Sequence, residues 1–179
     1  MDEIERLIAA YRCAVFDADG EAWGKTAALE SLEEYLPDSR VLEFFLEIVA
    51  DPTEYDMARV HILKLFEFEA VPGARDRIGA CIAAALTEER DWMVRCWLGR
   101  AVASYADIPA ARSVAIARAL DQAEFEDVRH NCLPGLRVGH PDIILALETI
   151  GAGEGTLAGV ARKQLMSLTQ VKADSAADQ

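Results

Sequence analysis

The repeated pattern that decides the fold of this chain is seen best in three stretches: Asp56-Met57-Ala58-Arg59-Val60-His61-Ile62-Leu63, Trp92-Met93-Val94-Arg95-Cys96-Trp97-Leu98-Gly99 and Glu126-Asp127-Val128-Arg129-His130-Asn131-Cys132-Leu133. Each has a small or apolar residue directly before an arginine, and an aliphatic residue or cysteine three positions after it. Weaker copies surround a lysine upstream and an arginine downstream. The five basic residues follow one another at intervals of 34, 36, 34 and 33 residues: Lys25, Arg59, Arg95, Arg129 and Arg162. Spacing this regular indicates an internal repeat.

A period of about 34 residues fits a pair of helices. Two helices of about 13 residues and two short turns fill it, and one such hairpin cannot bury both of its apolar faces alone, so neighbouring hairpins must stack. Proline and glycine separate segments with apolar residues at helical spacing, and no segment alternates for long with the period of a strand. We predict ten helices: 2–16, 22–35, 38–50, 55–69, 75–87, 91–105, 109–121, 126–138, 141–150 and 155–168.

The repeat resembles that of HEAT-repeat proteins, which carry an Asp…Val-Arg…Ala-Leu pattern at the start of the second helix of each hairpin. The pattern is present here as Asp91…Val94-Arg95…Leu98 and as Asp127-Val128-Arg129…Leu133. The resemblance covers nearly the whole chain and implies an all-α fold, a right-handed α-solenoid of about five hairpins. It also implies a ladder between adjacent repeats, formed by acids and arginines at equivalent positions: Asp56, Arg59, Asp91, Arg95, Asp127 and Arg129.

The length of 179 residues fits one domain. We predict a single repeat domain over residues 1–168 and a flexible tail over 169–179, whose residues are mostly polar or small. The acidic start, Met1-Asp2-Glu3, lacks the basic residues of a secretory signal. No apolar run approaches the roughly 20 residues that a membrane span needs. These features predict a cytoplasmic protein that does not enter a membrane.

The net charge of −13 is concentrated in the N-terminal part of the chain. Residues 1–70 contain 17 acidic and 6 basic residues, whereas residues 71–179 contain 14 acidic and 12 basic ones. A chain with this negative net charge repels the phosphate backbones of nucleic acids, and we therefore expect no nucleic-acid partner. The excess of acid has two interpretations: it keeps the protein soluble, or it presents an acidic face to a basic protein partner.

The sequence predicts neither a metal site nor a cofactor. The four cysteines are far apart and have no histidine neighbours at metal-ligand spacing, so we expect buried, reduced thiols: Cys13, Cys81, Cys96 and Cys132. None of the three histidines is followed by glutamate, as in the His-Glu pairs of HEAT-like metalloenzymes. We interpret His61 and His130 as ordinary helix residues.

The predicted contact face lies on the second helices, which line the concave surface in HEAT-like arrays. At 100° per residue, the positions one and five after each basic residue point away from the core, and the position two after it flanks them. These positions, taken mainly from the well-matched copies, form the candidate surface: Glu30, Val60, His61, Lys64, Cys96, Trp97, Arg100, His130 and Asn131.

Trp97 is the best single candidate on this surface, because tryptophan is enriched where binding energy is concentrated. The alternative is that Trp97 packs between adjacent helices. The other two tryptophans, Trp23 and Trp92, lie near helix starts, and we predict that they anchor packing.

One stretch, Cys13-Ala14-Val15-Phe16-Asp17-Ala18-Asp19-Gly20-Glu21, is similar to the nucleophile motif of haloacid-dehalogenase-type phosphatases. In that family a strand precedes Asp-x-Asp-Gly-Thr, and the two aspartates act as nucleophile and as acid/base. Here Glu21 replaces the threonine and the preceding apolar residues have helical spacing. We interpret the stretch as a turn between helices.

Three functional hypotheses follow. The leading one is a non-enzymatic, protein-binding repeat module, such as an immunity or inhibitor protein that neutralises a basic partner. The second is an accessory protein that holds a pigment or other small molecule in a concave groove lined by Cys96, Trp97 and His130, as HEAT-like bilin lyases do. The third is a phosphatase that uses Asp17 and Asp19.

Overall fold

The computed structural model describes residues 1–69 and 71–177, with side chains up to residue 168. This part of the chain is all-helical and contains ten helices: α1 Glu3–Cys13, α2 Trp23–Glu33, α3 Ser39–Ala50, α4 Asp56–Phe68, α5 Arg75–Glu88, α6 Trp92–Ala103, α7 Pro109–Leu120, α8 Glu126–Cys132, α9 Pro141–Gly151 and α10 Gly155–Ala177. The prediction of an all-α chain of ten helices is therefore confirmed.

Local sequence signals explain where several helices begin. The side chains of Asp38 and Asp91 accept hydrogen bonds from backbone amides in the first turns of α3 and α6, as N-cap residues do. Pro109 and Pro141 occupy the first turns of α7 and α9, where the missing amide hydrogen costs nothing. The predicted helices 38–50, 91–105, 109–121 and 141–150 begin at these four residues.

Three helices end more than two residues away from the predicted position. Helix α1 ends at Cys13 instead of 16, and helix α8 ends at Cys132 instead of 138, since Pro134 stops it after two turns. Helix α10 continues to Ala177, through residues that the sequence assigned to a tail beginning at 169. The last two residues of that tail, 178–179, lie outside the described part of the chain.

The helices pack in two series. Contacts link α1 to α3, α3 to α5, α5 to α7 and α7 to α9, and a second series links α2 to α4, α4 to α6 and α6 to α8. The two helices of each hairpin also touch, namely α1 and α2, α3 and α4, α5 and α6, α7 and α8, and α9 and α10. One continuous core fills the space between the two series, with leucine, isoleucine and alanine as its main residues. Within the described residues, no helix combines the length and the hydropathy that crossing a membrane requires.

Candidate functional site

Buried or half-buried ion pairs connect the second helix of one hairpin to the next hairpin. Lys25 pairs with Glu54, Arg59 with Glu89 and Arg95 with Glu124. Each basic residue lies in α2, α4 or α6, and each glutamate lies in the turn before the following even-numbered helix. The partners are 29, 30 and 29 residues apart. The three pairs therefore form a ladder with one rung at each of three successive junctions.

Each glutamate of the ladder also fixes the start of a helix. Glu54 accepts the amide of Tyr55 at 2.7 Å, Glu124 accepts the amide of Phe125 at 3.0 Å, and Glu89 accepts the amide of Asp91 at 2.8 Å. These amides have no partner within the helix that follows. One carboxylate thus caps its own helix and binds the basic residue of the preceding repeat.

The arginines of the repeat also donate to carbonyl groups at the end of the preceding helix. Arg59 donates to Val49 at 3.2 Å, Arg129 donates to Ala119 at 3.1 Å and Arg162 donates to Gly151 at 2.6 Å. These carbonyls are among the last of their helices and lack intrahelical partners. These hydrogen bonds therefore join the two helices within a hairpin, whereas the ion pairs join one hairpin to the next.

The structure corrects the acidic half of the predicted ladder. The acids are glutamates in the turns, whereas Asp56, Asp91 and Asp127 are not the residues that pair with the arginines. Asp91 instead caps α6 and accepts the amide of Val94 at 3.0 Å. The sequence carried a signal for two of the three acids, Glu54 and Glu124, because Asp-x-x-Glu-aromatic-acid-x-x-Arg occurs twice, over 51–59 and 121–129.

The predicted contact face is only partly exposed. Val60 is buried, with 2% of its surface accessible, so its assignment to the face was wrong. Helix α4 contacts α2, α3 and α6. Three neighbouring helices bury more of its surface than a single apolar face. Cys96 and His130, at the equivalent position, are half-buried.

Trp97 forms the centre of a cluster on α4 and α6. The ammonium of Lys64 lies 4.6 Å from the centre of its ring, and the guanidinium of Arg100 lies 5.4 Å from it. Arg100 also approaches the ring of Phe68, at 5.9 Å, and donates to Glu67 at 2.8 Å. Both cations are in range of a cation–π attraction. We call Lys64, Glu67, Phe68, Trp97 and Arg100 the aromatic cluster.

Trp97 also packs against the core with part of its surface, as the alternative interpretation proposed. The remaining surface lines a groove of about 310 Å³ between α6 and α8, together with Trp92, Cys96, Arg100, Asp127 and Asn131. A second groove of about 600 Å³ shares Arg100 and Asn131 with the first. It continues past Phe68, Ser104, Pro134 and Arg137 towards the C-terminal ends of α4 and α6.

Two glycines bring α6 and the α8 segment close enough to form these grooves. A Cβ atom on Gly99 would lie 3.1 Å from Sγ of Cys132, and one on Gly135 would lie 2.3 Å from the carbonyl carbon of Ala103. Real Cβ atoms do not approach backbone at the second distance. Gly135 therefore allows a contact that other residues exclude.

The exposed aromatic residues include two that the sequence analysis placed in packing. Trp23 and Trp92 are 69% and 49% exposed, so the prediction that they anchor packing was wrong. Trp92 starts α6 and lines the groove beside Trp97. Phe68, 69% exposed at the end of α4, was missed because the repeat pattern ends before it.

The remaining predicted residues lie outside the grooves around Trp97. His61 of α4 contacts Glu33 of α2, with 2.5 Å between Nε2 and Oε1. His130 lies 3.6 Å from Glu126 on its own helix and does not line the groove that contains Cys96. Glu30 is exposed on α2.

The thiols differ in environment. Cys13 is exposed, in contrast to the prediction, and lies at the end of α1. Burial raises the pKa of Cys81 to about 11 and that of Cys132 to about 12. Burial also raises the pKa of Cys96, and Asp127 adds to this effect. Among the described residues, no group of three or more histidine, cysteine, aspartate or glutamate side chains is placed to hold a metal ion.

The stretch around Asp17 forms a turn after α1. Its carboxylate accepts the amides of Asp19 at 3.0 Å and of Glu21 at 2.9 Å, as a turn aspartate does. The residues before it belong to α1 and a loop, whereas the phosphatase motif follows a strand.

Comparisons of this chain with protein-family models, with curated proteins and with solved structures gave no match.

Proposed function

We propose that this chain is a HEAT-like α-solenoid of five stacked hairpins that binds a protein partner and has no catalytic role of its own. Two observations support the solenoid. Helices contact their next-but-one neighbours in two series, and the ladder places one ion pair at each of three successive junctions. Stacked repeats need such nearest-neighbour contacts, because each hairpin depends on the next for burial.

The aromatic cluster carries the proposal of protein binding. Trp97 holds Lys64 and Arg100 against its ring. Arg100 also approaches the exposed ring of Phe68, and the exposed Trp92 lines the same groove as Trp97. Tryptophan and arginine are the residue types that concentrate binding energy in protein interfaces. Three large aromatic side chains lie on this surface: Phe68, Trp92 and Trp97. Single exposed apolar residues are normal on a protein, whereas apolar patches of this kind commonly mark interaction sites.

The partner in this proposal is a basic protein, which the chain neutralises as an immunity or inhibitor protein does. Residues 1–70 carry a net charge of −11, and such an excess steers a cationic partner towards the N-terminal half. We place the interaction in the cytoplasm, a reducing compartment in which free thiols such as the four cysteines persist.

The test is capture of a partner from a lysate of the source organism by the immobilised chain and its variants. We expect one specific protein to bind the wild type and to be lost with Trp97→Ala. Trp23→Ala is the matched control, because it removes an exposed tryptophan of α2 outside the cluster. Circular dichroism of each variant establishes that the fold is intact.

Two results would overturn the proposal. One is that the immobilised wild type retains no protein through a low-salt wash, even after chemical crosslinking. The other is a partner that Trp97→Ala and Trp23→Ala retain equally. A captured protein with an acidic surface would remove the inhibitor interpretation and leave the binding role intact.

A second function, binding of a small molecule, is favoured by the groove that Cys96 shares with Trp92 and Trp97. Its volume of about 310 Å³ is at the lower end for small-molecule sites. Native mass spectrometry of the protein purified from its source tests this function. An added mass that Cys96→Ser removes supports it, and a spectrum of the bare chain counts against it.

A further inference from the structure

The last turn of α4 separates two grooves at the C-terminal ends of the even-numbered helices. One is the groove of about 600 Å³ that contains Phe68, Arg100 and Arg137. The other, of about 350 Å³, lies between α2 and α4. Leu65 and Glu69 face this second groove, which we call the α2/α4 groove.

The α2/α4 groove has apolar walls and an acidic rim. Its apolar residues are Leu36, Pro37, Leu65, Val71 and Pro72. Leu65 and Val71 are half-buried and pack on the core with their inner surfaces. The charged residues that line it are all carboxylates: Glu33, Glu34 and Glu69. His61 contacts Glu33, which leaves Glu34 and Glu69 as the exposed charges of the rim.

The neighbouring groove has the opposite charge. Arg100 and Arg137 are exposed along it, and its carboxylate, Glu67, is bound to Arg100. Arg137 donates to the carbonyl of Pro134 at 2.8 Å, so its guanidinium retains free donors. The two grooves thus form an edge that is acidic over α2 and α4 and basic over α6 and α8.

An apolar channel with carboxylates at its rim suits a lysine or arginine side chain. The methylene stem of such a side chain packs on leucine and valine, and its charged end reaches the carboxylates at the rim. A carboxylate ligand suits the second groove for the complementary reason, because arginine binds carboxylates through two parallel hydrogen bonds. The acidic groove at one end of the edge and the basic groove at the other therefore favour a ligand with a basic residue at one end and an acidic residue at the other.

We infer that this edge binds an extended segment of the protein partner that carries a lysine or arginine at one end and an acidic residue at the other. The basic residue occupies the α2/α4 groove, and the acidic residue meets Arg137. Packed helices lie about 8–10 Å apart, and an extended chain rises about 3.3 Å per residue. The groove over α6 and α8 lies about two such spacings from the α2/α4 groove, roughly 16–20 Å, so the two charged residues are about five or six positions apart. This inference rests on the proposed protein-binding function and names the chemistry of the recognised segment.

Three synthetic peptides with blocked ends test the inference by nuclear magnetic resonance of the ¹⁵N-labelled full chain. They are Lys-Leu-Lys, Glu-Leu-Glu and Lys-Leu-Gly-Ser-Gly-Leu-Glu. We expect the basic peptide to shift amide signals near Glu34, Leu65 and Glu69, and the acidic peptide to shift those near Arg137. The mixed peptide should shift both sets and bind at least about tenfold more tightly than either short peptide, because its second contact is intramolecular.

Charge reversals separate the two grooves. Glu34→Lys with Glu69→Lys should abolish the shifts from the basic peptide and retain those from the acidic one, and Arg137→Glu should do the opposite. Glu148→Lys, an exposed reversal on α9, is the matched control and should change neither. Shifts scattered over the acidic surface, equal responses to all three peptides, or no response at millimolar concentration would each overturn the inference.

The outcome for the edge is distinguishable from the outcome for the proposed function. Trp97→Ala leaves the α2/α4 groove unchanged, since Trp97 does not line it. If a captured partner is lost with Trp97→Ala and retained in full by Glu34→Lys with Glu69→Lys, the protein-binding function stands and the inference about the edge fails.

Discussion

The guanidinium of Arg59 and the carboxylate of Glu89 form an ion pair inside the protein, where 1% and 4% of the two side chains remain exposed. Arg59 also donates to the carbonyl of Val49, and Glu89 accepts the amides of Arg90 and Asp91. Removing two charges from water is costly, and these additional hydrogen bonds offset part of that cost. The pair joins α4 to the turn before α6 and is the middle rung of the ladder.

Loss of one partner of this pair should destabilise the protein strongly. Glu89→Ala leaves the guanidinium of Arg59 buried without its carboxylate, and such losses cost about 3–5 kcal/mol. Urea denaturation followed by circular dichroism measures the change. Glu47→Ala is the control, because Glu47 pairs with Arg12 on the surface at 3.4 Å, where ion pairs contribute about 0–1 kcal/mol. Equal losses in the two variants would mean that the rung does not hold the hairpins together.

Stability should fall in acid because of the ladder glutamates. Burial raises the pKa of Glu89, but the amides of Asp91 and Arg90 and the guanidinium of Arg59 outweigh burial, so this pKa lies below its ordinary value of 4.5. Burial likewise raises the pKa of Glu54, and Lys25 with the amide of Tyr55 outweighs it. A carboxyl whose pKa is lower in the folded state stabilises the fold above its unfolded pKa, and the contribution is lost as the pH falls through the folded pKa.

The free energy of unfolding, measured by urea denaturation between pH 7 and pH 3, should therefore decrease below about pH 4.5. Glu89→Gln should lower the stability at pH 7 and reduce its dependence on pH in this window. The exposed substitution Glu148→Gln serves as the control for removal of one charge. If the free energy of unfolding depends on pH in the same way in the wild type and in Glu89→Gln, then Glu89 is not the group whose protonation lowers the stability.

The contact at Gly135 should not tolerate a methyl group. A Cβ atom there would lie 2.3 Å from the carbonyl carbon of Ala103, which belongs to backbone and cannot rotate away. Gly135→Ala should cost at least about 1–3 kcal/mol, as overpacking does. Gly159→Ala is the matched control within α10, where nothing lies within 4 Å of the new atom. It should stabilise by up to about 1 kcal/mol through helix propensity. Thermal unfolding of both variants measures the two changes in stability, which should have opposite signs.

The four thiols should react at different rates with a disulfide reagent. Cys13 is exposed and should react first in the folded protein. Cys81 and Cys132 should react only on unfolding, because burial raises the pKa of Cys81 to about 11 and that of Cys132 to about 12. Cys96 should react at an intermediate rate. Mass spectrometry of timed samples assigns each site, and rapid labelling of Cys132 would contradict the packing of α8 against α6.

The helices were predictable from sequence because their signals are local. Asp38 and Asp91 cap helices, and Pro109 and Pro141 begin them, without reference to any other part of the chain. The repeat also identified five basic residues that join a helix to a neighbouring helix or turn. Local propensity and a period of about 34 residues are therefore sufficient for the elements and their approximate limits.

The partners of those basic residues were not predictable in the same way. The resemblance assigned the acid to the helix start, at Asp56 and Asp91, but the longer glutamate in the preceding turn reaches both the helix amides and the basic residue of the preceding repeat. Val60 became buried because α4 has neighbours on three sides. Phe68 contributes to the aromatic cluster from the last turn of α4, beyond the repeated pattern. The identity of the ladder acids, the burial of Val60 and the position of Phe68 all depend on contacts between neighbouring hairpins.

The interval within the ladder has a consequence for how such a chain changes in length. Every rung joins residues 29 or 30 positions apart, and each glutamate simultaneously fixes the start of a helix. Insertion of one residue between the two partners would move the carboxylate away from either the helix start or the arginine. Insertion of a whole hairpin would preserve both contacts. Chains with this arrangement are therefore expected to gain or lose length in steps of a complete hairpin, by duplication or deletion of the unit.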